Sequence, residues 1–167
     1  VGGRRRTGRT PLGDESLAGV GGPGAELARV DFPGTKLVGA DLHGADLTGV
    51  NFDGADLNSA NLAEASLPGG RARGTDLRRV DLSGCDCREA DFSGADLRDA
   101  KLAGTHLYMA NFRDATLTGL RLGMTPASGI GYRGTEMSAA VILGPDLRLA
   151  DFTRSEEHTA ELQSLVT

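Results

Sequence analysis

The chain has 167 residues, a net charge of −5 and 39% hydrophobic residues. A length in this range predicts one domain, and an aromatic content of 4% with no Trp excludes a large aromatic core. The mild acidity argues against nucleic acid as a direct partner. No apolar run is long enough to span a membrane, and two cysteines do not indicate a disulfide framework. We therefore expect a cytoplasmic protein that does not insert into membranes.

The first segment, residues 1–24, is rich in Gly and Arg and is predicted to be partly disordered or a degenerate first coil. Its arginines could contact the phosphates of a nucleic acid, but no aromatic residues are interleaved with them to bind bases. A solvated leader is therefore the favoured interpretation. The arginines concerned are Arg4, Arg5, Arg6 and Arg9.

A five-residue phrase repeats through residues 25–153, as in ADLHGADLTG from Ala40 to Gly49. A large side chain, usually Leu, occupies nearly every fifth position, and Asp or Asn precedes it at 14 of 26 positions. In an α-helix five residues turn through about 500°, so these Leu positions would spread around the helix. In a flat strand an odd period would alternate them between two faces. The pattern therefore predicts a chain that turns a corner every five residues and points each Leu toward a common axis.

The phenylalanines indicate how many sides one turn of the chain has. All five Phe residues are separated by multiples of 20 residues, so four sides of five residues make one coil. Ala72 interrupts the series, and we expect a locally underpacked core there. The predicted core column is Phe32, Phe52, Phe92, Phe112, Tyr132 and Phe152.

This phrase resembles that of the pentapeptide-repeat family, which is A-D/N-L-x-x. The resemblance implies an all-β fold, a right-handed quadrilateral parallel β-helix, with about six coils of 20 residues at the spacing of paired strands. The Gly residues two positions after the Leu suit corners with positive φ. The Asp or Asn before the Leu is expected to hydrogen-bond nearby backbone in a turn.

The last segment, residues 154–167, breaks the period. Its sequence RSEEHTAELQS, from Arg154 to Ser164, resembles the translation of a sequencing adapter. We therefore expect this tail not to be part of the natural protein.

Side chains that could support catalysis do not converge in the predicted coil. Cys85 and Cys87 point inward, where small apolar filler is the favoured interpretation. His43 and His106 fall on different sides of the coil. The Asp residues from 76 to 96 lie five apart and so encircle a coil, whereas a catalytic pair must share a pocket. The sequence predicts no enzyme activity, no catalytic residues, no metal site and no cofactor.

The predicted surface offers two candidate contacts for a protein partner. Between Asp31 and Leu67 there are six acidic residues against Lys36 alone. Tyr108 and Met109 form a candidate apolar contact. The candidate acidic interaction face consists of Asp31, Asp41, Asp46, Asp53, Asp56 and Glu64.

These features favour a protein–protein interaction scaffold of unknown partner. The family resemblance implies an alternative, a DNA-mimicking binder of DNA gyrase or a related type II topoisomerase, because some members of the family protect that enzyme from quinolones. Outward Val141 and Leu143, near the end of the rod, lie where an uncapped coil end would allow a homodimer.

Overall fold

The computed structural model of the chain describes residues 22–122, 141–143 and 161–163, with side chains over 22–120. Parallel β-bridges join residues that are 20 apart, from Glu26 with Asp46 through Asp96 with Thr116. One coil therefore takes 20 residues, and the predicted fold, a four-sided parallel β-helix, is confirmed.

Three short strands continue one side of this helix: β1 at Arg121–Leu122, β2 at Val141–Leu143 and β3 at Glu161–Gln163. They pair in parallel in the order β1-β2-β3, with Arg121 beside Val141 and Val141 beside Glu161. Strand β3 lies inside the predicted tail and keeps the spacing of 20 residues. The leader before residue 22, and Tyr132 and Phe152 of the predicted column, lie outside the described residues.

Each side of a coil contributes five residues to one of four faces. Face 1 contains the phenylalanines, and faces 2, 3 and 4 follow in chain order. The described segments are 30–34, 50–54, 70–74, 90–94 and 110–114 on face 1; 35–39, 55–59, 75–79, 95–99 and 115–119 on face 2; 22–24, 40–44, 60–64, 80–84, 100–104 and 120–122, with strands β2 and β3, on face 3; and 25–29, 45–49, 65–69, 85–89 and 105–109 on face 4.

A tight turn with one left-handed residue forms each corner between residues 24 and 119. In a representative corner the Ala40 N–H donates to the Leu37 carbonyl at 3.0 Å, and Gly39 between them has a φ of 64°. A positive φ at the third residue only is typical of a type II turn. The equivalent residues from 24 to 119 all have positive φ, and 12 of them are Gly while 8 are not. The five-residue period thus reflects one backbone geometry repeated at each corner.

Backbone hydrogen bonds hold successive coils together. The Leu42 N–H donates to the Asn61 carbonyl at 2.7 Å, and the Gly44 N–H donates to the Ala63 carbonyl at 2.9 Å. Two fully buried Thr side chains add bonds between coils, because Thr75 Oγ1 donates to the Phe52 carbonyl and Thr105 Oγ1 to the Leu82 carbonyl, both at 2.8 Å. The coils are therefore stacked in a fixed register.

The aromatic column is split in two at Ala72. Phe32 and Phe52 stack with ring centroids 5.6 Å apart, and Phe92 and Phe112 stack at 5.0 Å. Ala72, buried between the two pairs, carries no ring. At Gly70 an added Cβ would lie 2.9 Å from Leu67 Cγ, so the Leu67 side chain extends into space that an Ala at position 70 would occupy.

A substitution at Gly54 measures the energetic cost of the left-handed backbone conformation alone. The φ of Gly54 is 66°, and nothing lies within 4 Å of an added Cβ. We expect Gly54→Ala to lower the free energy of unfolding by about 1 kcal/mol through backbone strain. Urea unfolding measures this. The reverse change, Glu89→Gly at a φ of 58°, serves as the control and is expected to be neutral or stabilising. Equal stability of Gly54→Ala and the parent chain would contradict the prediction.

Ala72 tests whether the core is underpacked where the column is split. Because each added CH₂ that is buried contributes about 0.8 kcal/mol, we expect Ala72→Leu to raise the free energy of unfolding by about 1 kcal/mol in the same measurement. A loss of stability would show instead that Leu67 already fills the space.

Candidate interaction surface

The Asp or Asn before the large residue stabilises its own corner in the described repeats that follow Asp31. Its side-chain oxygen accepts the backbone N–H of the residue two positions later, as Asp56 Oδ1 does from Asn58 and Asn61 Oδ1 does from Ala63. Carboxylate and amide serve equally in this role, since both present the same acceptor oxygen. The repeated acidic residues are therefore first of all structural.

The six candidate acidic residues do not share one face. Asp31 and Asp53 lie on face 1, Asp56 on face 2, and Asp46 on face 4. The other two, Asp41 and Glu64, lie on face 3. They encircle the rod instead of forming a stripe along it.

Asp53 is neutralised by two arginines of the next coil. Its carboxylate pairs with the guanidinium of Arg71 and, at 2.6 Å, with that of Arg73. Partial burial raises the pKa of Asp53, but hydrogen bonds from Arg73 and Arg71 outweigh it and lower that pKa to about 2. Asp53 therefore contributes little net charge to an acidic surface.

Four acidic residues further along the chain, Asp76, Asp81, Asp86 and Asp96, are also neutralised by basic side chains. An Arg two positions after an Asp folds back onto it, so that Arg98 Nη2 lies 2.6 Å from Asp96 Oδ2. This hydrogen bond lowers the pKa of Asp96 and outweighs the effect of its burial. The same arrangement pairs Asp76 with Arg78 and Asp86 with Arg88, while Asp81 is paired with Lys101 of the next coil.

Without Asp53, five of the six candidate acidic residues are left, and we call them the acidic collar: Asp31, Asp41, Asp46, Asp56 and Glu64. Asp46 accepts the Thr48 hydroxyl at 2.7 Å, which lowers its pKa, and Asp41 accepts the Asn61 side-chain amide at 3.2 Å. Within residues 22–122 no Lys or Arg forms an ion pair with Asp41, Asp46 or Asp56. The Asp-x-Arg spacing was visible in the sequence, but the folding of Arg78, Arg88 and Arg98 back onto the preceding Asp was not predicted.

The exposed large hydrophobic residues of the described chain lie in two places. Tyr108 and Met109 are 48% and 54% exposed at one corner of face 4. Val38, 46% exposed on face 2, was not singled out from the sequence. Its position after the Leu of its repeat, where side chains point outward, was the available signal.

The cysteines and histidines do not form a reactive site among the described residues. Cys85 and Cys87 are fully buried with their Sγ atoms 3.3 Å apart. A hydrogen bond between the thiols and burial raise the pKa of Cys87, which makes it a poor nucleophile. His43 on face 3 lies 3.9 Å from Glu64, whereas His106 is on face 4. In the part of the chain with side chains, no group of three His, Cys, Asp or Glu could hold a metal ion.

Among the described residues, no helix has the length and apolar character needed to cross a bilayer.

Comparison with known proteins identifies the family. The sequence matches the family model described as "Pentapeptide repeats", in 8 copies, over residues 25–62, 55–86 and 81–119. These segments together cover more than half of the chain. The chain belongs to the pentapeptide repeat family. Pentapeptide repeat proteins are generally structural or interaction proteins and not enzymes.

Solved structures of pentapeptide repeat proteins resemble this one. One, from the Arabidopsis thaliana thylakoid lumen, is 30% identical, with 59% of this chain and 74% of that chain covered and a TM-score of 0.56. Another is trypsin-treated QnrB1, a plasmid-mediated fluoroquinolone resistance protein, at 20% identity, with 81% and 73% covered and a TM-score of 0.61. At that identity the likeness to QnrB1 concerns the fold alone. The search of curated protein sequences found no match to this chain.

Asp53 makes stability depend on pH in the acid range. Its pKa falls from 3.8 in the unfolded chain to about 2 in the folded one, so its contribution is complete above pH 3.8 and disappears as the pH falls toward 2. We expect Asp53→Asn to lose less free energy of unfolding than the parent chain between pH 5 and pH 2, as measured by urea titration. Parallel pH profiles for the two proteins would contradict this prediction.

Proposed function

We propose that this chain is a non-enzymatic protein–protein interaction scaffold whose acidic collar binds a basic surface on its partner. The observation that carries the proposal is a difference in charge pairing: Asp41, Asp46 and Asp56 of the collar form no ion pair with Lys or Arg within residues 22–122, whereas further along the chain Asp76, Asp81, Asp86 and Asp96 each do. Unpaired surface charge of one sign steers and selects an oppositely charged partner.

The filled interior of the described chain supports a scaffold over other functions. The inward side chains from Phe32 to Leu120 are almost completely buried against one another, so the rod presents its outer faces and not an interior site. Regular solenoids bind partners through such extended outer surfaces.

A second candidate function is favoured by the shape and density of the collar. It surrounds the rod, as charge surrounds a DNA duplex. It spans 33 residues, less than two coils, or about 8 Å of rod at the spacing of paired strands. A duplex carries about five negative charges over that length. The five collar carboxylates, less the positive charge of Lys36, leave a formal total of four negative charges, which is close to that number. We therefore propose, as the alternative, binding to the DNA-binding surface of a type II topoisomerase.

Asn substitutions in the collar remove charge without removing the corner hydrogen bonds, because Asn51 and Asn61 already accept these bonds. We expect the triple variant Asp41→Asn, Asp46→Asn and Asp56→Asn to fold normally. Its affinity for the partner should fall at least about tenfold through lost electrostatic attraction. The matched control, Asp81→Asn, Asp86→Asn and Asp96→Asn, changes net charge equally but alters carboxylates that are already paired.

The measurement has two stages. A gyrase supercoiling assay, with and without a fluoroquinolone, is titrated with the parent chain and both triple variants. Inhibition or drug protection that only the collar variant loses supports the topoisomerase alternative. If gyrase does not respond, proximity labelling in cells compares the two variants. Partners lost with the collar variant alone support the scaffold proposal, and an unchanged set of partners contradicts it.

A further inference from the structure

We propose that Cys85 and Cys87 form a redox modification site, which closes to a disulfide when the chain folds under oxidising conditions and is then enclosed by the core. They are the two cysteines of the chain, and they occupy the two inward positions of a single repeat. Both are free thiols with no exposed surface, and their Sγ atoms lie 3.3 Å apart.

The backbone holds the two side chains at a separation that a disulfide can span. Asp86, the residue between them, forms parallel bridges with Ser66 and His106, so this segment is extended. Two extended residues place the Cα atoms about 6.5 Å apart, which lies within the range found in disulfides. The sulfur atoms then need to approach from 3.3 Å to about 2.05 Å, and rotation of the two side chains about their Cα–Cβ bonds provides this movement.

The neighbouring coils indicate that the core tolerates such a movement. Cys87 occupies the position that Leu67 and Leu107 fill in the coils before and after it. Because the fold accommodates a larger side chain at this position, a sulfur atom can change its place there. The backbone stays fixed meanwhile, since the Cys87 N–H donates to the His106 carbonyl at 2.8 Å and the His106 N–H donates to the Cys85 carbonyl at 2.9 Å. The disulfide can therefore form within the register of the coils.

The folded core excludes the reagents that would oxidise the pair. A disulfide reagent must contact the sulfur of a thiolate, but neither Cys85 nor Cys87 has exposed surface. Hydrogen bonding between the thiols and burial raise the pKa of Cys87, which lowers its thiolate fraction further. The pair is thus unreactive once folded. Oxidation takes place while the repeat is open, and the core then preserves whichever state has formed.

Glutathione disulfide, or another small disulfide, is the oxidant of this reaction. The thiolate of one cysteine attacks a sulfur of glutathione disulfide, which forms a mixed disulfide and releases one glutathione thiolate. The thiolate of the other cysteine then attacks the protein sulfur of the mixed disulfide and releases the second glutathione thiolate. Two cysteine thiols are oxidised to one disulfide, two glutathione thiols are formed, and the two cysteine protons pass to the released thiolates through the solvent.

The order of folding and oxidation tests the proposal in the full-length chain. In one arm the chain is unfolded in urea, treated with a stoichiometric amount of glutathione disulfide and refolded; in the other it is folded in the reduced state and then treated. We expect the first arm to give a monomer lighter by about 2 Da, the mass of two hydrogens, with no thiol that a maleimide labels in denaturant. The second arm should keep both thiols, with oxidation at least about 100-fold slower than in urea.

The reverse reaction tests whether the core preserves the disulfide. The oxidised and refolded chain is treated with reduced glutathione, in buffer and in urea. We expect the disulfide to survive at least about ten times longer in the folded chain than in urea. The oxidised chain should also keep the circular dichroism spectrum of the reduced chain and unfold at the same temperature or a higher one.

Two variants with one thiol each serve as controls, and both reproduce the sequence of neighbouring coils. Cys85→Ala matches Ala65, and Cys87→Leu matches Leu67 and Leu107, so both should fold. When treated in urea, each should bind glutathione through its one thiol and give no monomer lighter by two hydrogens. The mass loss in the parent chain then reports a bond between these two cysteines.

Other results overturn the proposal. These are equal oxidation rates in the folded and the unfolded chain, disulfide-linked dimers or bound glutathione as the main products of the parent chain, and an oxidised chain that does not refold although the reduced chain and both variants do. Neither cysteine belongs to the acidic collar, so these tests do not depend on the function proposed above.

Discussion

A left-handed residue at every corner is the constraint on which the rest of the structure depends. Because the chain turns through this one conformation every five residues, the large side chain of each repeat points inward and the residues on either side point outward. Gly meets the requirement without strain. Where a residue other than Gly occupies a corner, as at Glu64 or Met109, the backbone conformation does not explain why that residue type is present.

The acidic residues show how one position can carry structure and charge at once. An Asp before the large residue braces the corner through its side-chain oxygen, and whether it also charges the surface depends on its neighbours. Arg78 neutralises Asp76 two residues away, whereas Thr48 bonds Asp46 without removing its charge. An acidic composition in this fold is therefore a poor measure of surface charge.

The sequence was sufficient to predict the four-sided helix, because the period of five and the phenylalanine spacing of 20 leave few geometries that bury every large side chain. Surface chemistry was harder to predict. The sequence pattern placed Asp53 among the candidate acidic residues. In the structure its charge is neutralised by two arginines of the next coil, 18 and 20 residues later. Pairing between coils depends on side-chain conformation, which periodicity does not determine. The ring-free position at Ala72 was visible in the sequence, whereas the close approach of Leu67 to Gly70 was not.

The register of 20 residues also limits how such a chain can change in length. Removing a single residue would turn inward positions outward along everything that follows. Removing five would preserve the core but rotate each later side chain to the neighbouring face, so that Tyr108 would move from face 4 to face 3. Only the loss or gain of a whole coil leaves every face intact. Proteins of this architecture should therefore vary in length by whole coils, and a shift of one repeat would reassign a binding surface without unfolding the rod.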